Sequence, residues 1–99
     1  MNLEFRYRLA PGVAIRPERF GGLVYRYDNR RLFFLHSHEL VDFVSGLEGG
    51  ESPLGDALDD YLESRQLARS VRTTFINAMT QLEKLGVLVQ ANEGHTENA

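Results

Sequence analysis

Gly21-Gly22-Leu23-Val24-Tyr25-Arg26-Tyr27-Asp28-Asn29-Arg30-Arg31-Leu32-Phe33-Phe34-Leu35 is the stretch from which the rest of the chain can be read. Leu23, Tyr25 and Tyr27 alternate with Val24 and Arg26, the two-residue period of a strand. Asp28-Asn29-Arg30 supplies a hairpin turn, because Asp and Asn tolerate the left-handed backbone of tight reversals. Arg31 to Leu35 returns as the next strand. Its Leu32-Phe33-Phe34-Leu35 core is apolar on both faces, whereas a small sheet backed by helices on one side needs only one apolar face. Either the rest of the chain covers both faces, or one face awaits a partner.

Upstream, Leu3, Phe5, Tyr7 and Leu9 alternate with Glu4, Arg6 and Arg8, so a strand is expected over Leu3 to Leu9, broken by Pro11-Gly12. Val13 and Ile15 form a second short run that Pro17 stops. Downstream the period changes to that of helices. Ser37 is placed to cap a first helix with Leu40, Phe43, Val44 and Leu47 on one face, ended by Gly46 and Gly49-Gly50. Ser52-Pro53 opens a second, with Leu54, Leu58, Tyr61 and Leu62 as its stripe. Ser70 caps a third, whose core stripe is Val71, Phe75, Ala78, Leu82 and Leu85 and whose end is Gly86. At about 100° per residue, Ile76 falls roughly 140° from Val71, beside Arg69, Arg72 and Glu83, with Met79 between this flank and the core. Val87-Leu88-Val89 reads as a last short strand and residues 92–99 as a polar tail. The fold class is α+β: an N-terminal three-stranded antiparallel sheet, three helices and a short C-terminal strand, in one domain over residues 1–91.

Composition excludes most chemistry. The chain has 99 residues, 42% hydrophobic and 25% charged, enough for one small core. With no cysteine, disulfide scaffolds, thiolate metal sites and thiol nucleophiles are ruled out. No run reaches the roughly 18–20 apolar residues of a membrane span, and no apolar signal stretch opens the chain, so the expected location is the cytoplasm. His36-Ser37-His38-Glu39 invites a metal but lacks further convergent ligands. Asp59, Asp60 and Glu63 lie on a solvated helix face, and no serine has a nucleophile-elbow context. The expectation is a protein with no catalytic residue, no metal and no cofactor. Charge, in contrast, is divided. Residues 1–36 hold seven arginines against three acids, a net +4, and the remainder carries −7. An acidic chain is a poor non-specific binder of nucleic acid, whereas a basic first third suits an acidic partner at one face.

A hairpin, three helices and a final strand are the material of a winged helix-turn-helix, which leaves two functional readings. A DNA-binding regulator would use the third helix in the major groove, with Arg69, Arg72, Thr73 and Asn77 as its contacts. A peptide-binding module would use a sheet edge and the same helix as two walls. The charge division and the doubly apolar strand favour the second.

The order of motifs supports it. Leu9-Ala10-Pro11-Gly12-Val13-Ala14-Ile15-Arg16, Phe20-Gly21-Gly22-Leu23-Val24-Tyr25, Leu32-Phe33-Phe34-Leu35, and Phe75 followed by Leu82-Glu83-Lys84-Leu85-Gly86-Val87-Leu88 resemble the PqqD-like family of RiPP recognition elements. The likeness covers roughly residues 9–90, and within the family the chain looks most like the branch serving mycofactocin biosynthesis. The resemblance implies that the leader of a ribosomally made precursor peptide adds as a strand to Arg31, Leu32, Phe33, Phe34 and Leu35. It also implies a groove wall on the third helix, here Arg69, Arg72, Thr73, Ile76 and Met79. The further partner it implies is a radical-SAM maturase of the SPASM type, with no nucleic acid and no membrane.

If the basic third steers an acidic leader, reversing Arg26 or Arg31 to Glu slows association and flattens its salt dependence while leaving melting unchanged. Stopped-flow rates that ignore both salt and these reversals would reduce the arginines to ordinary surface.

Overall fold

A computed structural model of the chain describes residues 1–49 and 51–91, so the expected tail over 92–99 and the glycine stop at Gly50 lie outside the described residues. Four strands come first, β1 (Tyr7–Leu9), β2 (Val13–Glu18), β3 (Gly21–Arg26) and β4 (Arg31–Leu35). Helix α1 (His38–Ser45) follows and continues into a 3-10 turn, Gly46–Gly49. Then come α2 (Leu54–Ser64), α3 (Arg69–Lys84) and β5 (Leu88–Gln90). The α+β class with three helices and antiparallel strands is as expected. The N-terminal part holds four strands rather than three: β2, β3 and β4 form one sheet, and β1 pairs instead with β5.

The hairpin forms where the alternation placed it. Val24 faces Phe33, Leu23 faces Phe34 and Tyr25 faces Leu32 across β3 and β4. Asn29 Oδ1 accepts from the backbone N–H of Arg31 at 3.0 Å, and the left-handed residue of the turn is Arg30, at φ 59°. β2 lies on the other side of β3, with Ile15 opposite Val24. Val13, Ile15, Val24, Phe33 and Leu35 therefore share one face, toward the core, and Val24 is completely buried there. Pro17 stays inside β2 because β2 is an edge strand, where a missing N–H costs no ladder bond.

Two glycines let α1 lie directly on this sheet. A Cβ at Gly22 would stand 2.6 Å from Cγ2 of Val41, so the helix rests against strand backbone. Gly21 has φ +144°, and a Cβ there would run into the carbonyl oxygen of Leu35 and stand 2.7 Å from the Ser37 nitrogen. Ser37 caps α1 as expected, its Oγ accepting from Leu40 N at 3.1 Å. Leu40, Phe43, Val44 and Leu47 all enter the core.

Elsewhere, tertiary contacts replace the expected local ones. Leu3 and Phe5 are not in a strand. Their carbonyls instead accept from Gly55 N and Leu54 N, each at 2.8 Å, and so satisfy the first N–H groups of α2. Neither Ser52 nor Ser70 caps a helix: Pro53 and Ala68 hold the capping positions, without a side-chain bond. On α3, Phe75 and Leu82 are buried as expected, but Met79 is completely buried with them while Leu85 is 38% exposed. The core face is thus turned by roughly 45° toward Met79 relative to the expected stripe. Gly86 ends the helix at φ +81°, as its position implied. Among the described residues no helix is long and apolar enough to cross a membrane.

Gly21→Ala should lower stability by at least about 2 kcal/mol, through the unfavourable φ and the clash with β4 backbone. Gly46, with φ −84° and open space around its Cα, should accept alanine within about 0.5 kcal/mol. Denaturant melts of the two variants test the contrast.

Candidate functional site

β4 has β3 on one side and no strand on the other among the described residues. Its side chains divide between two faces. Phe33 and Leu35 are half-buried toward the helices, whereas Leu32 and Phe34 point away and are 50% and 61% exposed. Arg31 is exposed at the strand's start, its guanidinium carbon 5.4 Å from the centre of the Phe33 ring.

The course of α3 relative to this strand is fixed at both ends. Where β4 ends, Ser37 and Glu39 line an open cleft of about 350 Å³ with Leu67, Val71, Thr74 and Phe75. At the opposite end of the hairpin, Arg26 Nη1 donates to the carbonyl oxygen of Leu85 at 2.8 Å, and Arg26 stands opposite Arg31. Helix α3 therefore runs against the direction of β4. By the helical step, the flank carrying Val71 and Thr74 continues through Ala78 to Leu85. Val71, Ala78 and Leu85 on this flank are apolar, Thr74 and Gln81 polar.

The residues nominated from the sequence are only partly brought together. Arg31, Leu32, Phe33, Phe34 and Leu35 share the open edge strand. The five from α3 do not lie along the flank just described. Arg69 and Arg72 line a separate depression of about 710 Å³ with Asp59, Leu62, Glu63 and Leu67, on the side of α2. Arg72 Nε is held there by Asp59 Oδ1 at 2.7 Å. Thr73 is exposed, Ile76 is half-buried on the flank next to Arg72, and Met79 is in the core. Leu67, Val71 and Thr74 line the cleft instead, although the helical period alone places Val71 in the core stripe. The signal was the large Met79, which claims the centre of the buried face and frees the Val71 edge.

His36 and His38 have structural surroundings. His38 Nε2 lies 2.7 Å from the carbonyl oxygen of Arg19, and the His36 ring lies 5.4 Å from that of Phe20. Among the described residues no three metal-type side chains converge. A second apolar cleft, about 460 Å³, lies between α1 and α2 beside Tyr61. Tyr61 donates toward the Glu39 carbonyl and Asp42 Oδ2, each at 3.1 Å, and partial burial, followed by the Asp42 bond, pushes its hydroxyl pKa up.

Arg26 is more than a steering charge. Besides Leu85 it donates to both oxygens of Asp28, at 3.2 and 2.7 Å, and these bonds hold the Asp28 carboxyl below its usual pKa. Reversal at Arg26 would therefore disturb the end of α3, which leaves Arg31 as the cleaner test of steering. A carboxyl pKa lowered in the folded state stabilises above its unfolded value, and that contribution is lost as pH falls through the folded one. In Arg26→Gln, carboxyl-carbon NMR should find the Asp28 pKa raised toward its ordinary value, with this part of the acid sensitivity reduced. An unmoved Asp28 would mean that the pair does not persist in solution.

A profile of the Peptide chaperone MftB family matches residues 6–89, a span that starts just before β1 and ends within β5. Two curated relatives are named Peptide chaperone MftB. The one from Mycolicibacterium smegmatis (strain ATCC 700084 / mc(2)155) is 33% identical over 89 residues, which cover 90% of this chain and 76% of the relative. The one from Mycobacterium tuberculosis (strain ATCC 25618 / H37Rv) is 31% identical over 86 residues, 87% of this chain and 69% of the relative. No solved structure matches the chain significantly. The expectation of a binding protein rather than an enzyme agrees with these matches, and on the length and identity of the match the chain belongs to the Peptide chaperone MftB family.

Proposed function

We propose that this chain is a non-catalytic peptide chaperone that takes up the leader of a ribosomally made precursor peptide by strand addition to β4. It delivers the peptide to a radical-SAM maturase of the SPASM type, in the cytoplasm, within mycofactocin-type cofactor biosynthesis. Residues 1–91 act as one PqqD-like domain in this reading, with α2 and α3 as a helix-turn-helix and the β3–β4 hairpin as its wing.

The observation that carries the reading is the difference between the two sheet edges. β2 is interrupted by Pro17, which lacks an N–H, so its edge is blunted against pairing. β4 contains no proline, and the Val71–Thr74 flank of α3 approaches its end. A leader strand there would place alternate side chains toward Phe33, Leu35 and the apolar cleft, while its backbone supplies the missing ladder bonds. Arg31 adds a positive charge where an acidic leader would arrive, raising the rate of encounter more than the affinity. The benefit to the maturase is effective concentration, and no bond is made or broken by the chaperone. The DNA-binding alternative is weakened by Asp59, which already occupies Arg72 on the helix that would enter the groove.

Titration of the fluorescently labelled leader half of the precursor, beside duplex DNA at two salt concentrations, tests the reading. The leader should bind and the DNA should not. Thr74→Asp puts a charge on the cleft wall that binding would desolvate, so leader affinity should fall at least roughly tenfold. Thr74 is exposed, so melting should move by less than about 1 kcal/mol. Full affinity in this variant would take the leader out of the cleft.

A further inference from the structure

The sheet face turned away from the helices carries an uneven apolar surface. β2 contributes Ala14, Arg16 and Glu18, β3 contributes Leu23 and Tyr25, and β4 contributes Leu32 and Phe34. On the β2 side, Arg16 and Glu18 satisfy each other at 2.7 Å. Tyr25, on the central strand, is 42% exposed, and exposure rises to 50% and 61% at Leu32 and Phe34. The Phe34 ring is held in place by Phe20 at 5.5 Å and His36 at 6.4 Å between centroids. Tyr27, just past β3, is 60% exposed and lies 5.1 Å from Tyr25 between ring centroids, so the apolar surface spans β3 and β4. Leu32 and Phe34 are its part on the strand with the open edge, where an occupant of that edge lies directly beside them.

We infer that Leu32 and Phe34 form a second recognition row for the added peptide strand, so that the chain selects a segment of consecutive large apolar residues. This rests on the strand-addition reading above. Side chains of an added strand alternate between the two faces of the sheet. Those that do not enter the cleft lie beside Leu32 and Phe34, at the roughly 5 Å Cβ separation of cross-strand neighbours. A polar side chain in that row leaves the Phe34 ring in water, and a large apolar one buries it. A peptide alternating apolar and polar residues can fill the cleft row alone.

Two soluble synthetic peptides with acidic ends separate the possibilities: one has a centre of consecutive valines and leucines, and in the other every second residue of that centre is serine. The consecutive peptide should bind the full chain roughly tenfold more tightly, the weight of one buried aromatic contact. Phe34→Thr should abolish most of that difference, and Leu32→Thr provides a second variant on the same row. Threonine keeps strand propensity at both exposed positions. Hydrogen exchange read at β4 amides reports strand addition independently. Protected β4 amides with equal affinities, or with a difference that survives both variants, would overturn the second row and leave strand addition standing. Unprotected β4 amides, or no binding of either peptide, would overturn the inference together with its basis.

Discussion

The approach of α1 to bare strand backbone at Gly21 and Gly22 sets the geometry on which the rest of the molecule depends. Val41 occupies the space a Cβ of Gly22 would need, and Gly21 gives the chain room where β4 turns into the helix. Ser37, next to this contact, then caps α1 without a connecting loop. Because β4 and α1 are joined so closely, the start of α1 stands at the end of the edge strand. That is where α3 can complete a cleft.

The position of α3 is secured by contacts distant in sequence. Arg26 binds its last turn from the hairpin, and the Tyr7 hydroxyl reaches Glu83 at 3.2 Å from β1. β5, which leaves the helix through Gly86, pairs with β1, Leu9 opposite Leu88. The β1–β5 ribbon thus fixes the C-terminal half of α3 while its N-terminal half, around Val71 and Thr74, borders the cleft. One end held and the other bordering an open cleft is the arrangement that the proposed strand addition would need.

A binding function follows from what the edge strand offers. Unpaired backbone groups on a sheet edge are an aggregation hazard unless a protein blunts them, and β2 is blunted by Pro17. β4 is left open and apolar on both faces, a combination that the packing of this small core does not require. That excess is the surface which the proposed leader strand would use.

At three places local signals were enough for the sequence alone to determine the structure. Alternation over 21–35 defined the hairpin and its faces, Ser37 the start of α1, and Gly86 the end of α3, because each depends on backbone preferences within a few residues. The doubly apolar strand over 31–35, half of the candidate site, was legible for the same reason, whereas its free edge is a matter of sheet topology. Other features were decided by partners far along the chain. Leu3 and Phe5 carry a strand-like alternation, yet their carbonyls serve the uncapped N-terminus of α2, a demand invisible from residues 3–9. The face that α3 presents was settled by volume: Met79 fills the centre of the core, which turns Arg72 toward α2 and leaves Val71 and Thr74 to border the cleft. Helical period predicts which residues share a stripe, but only packing against the other elements decides which edge of that stripe meets the strand.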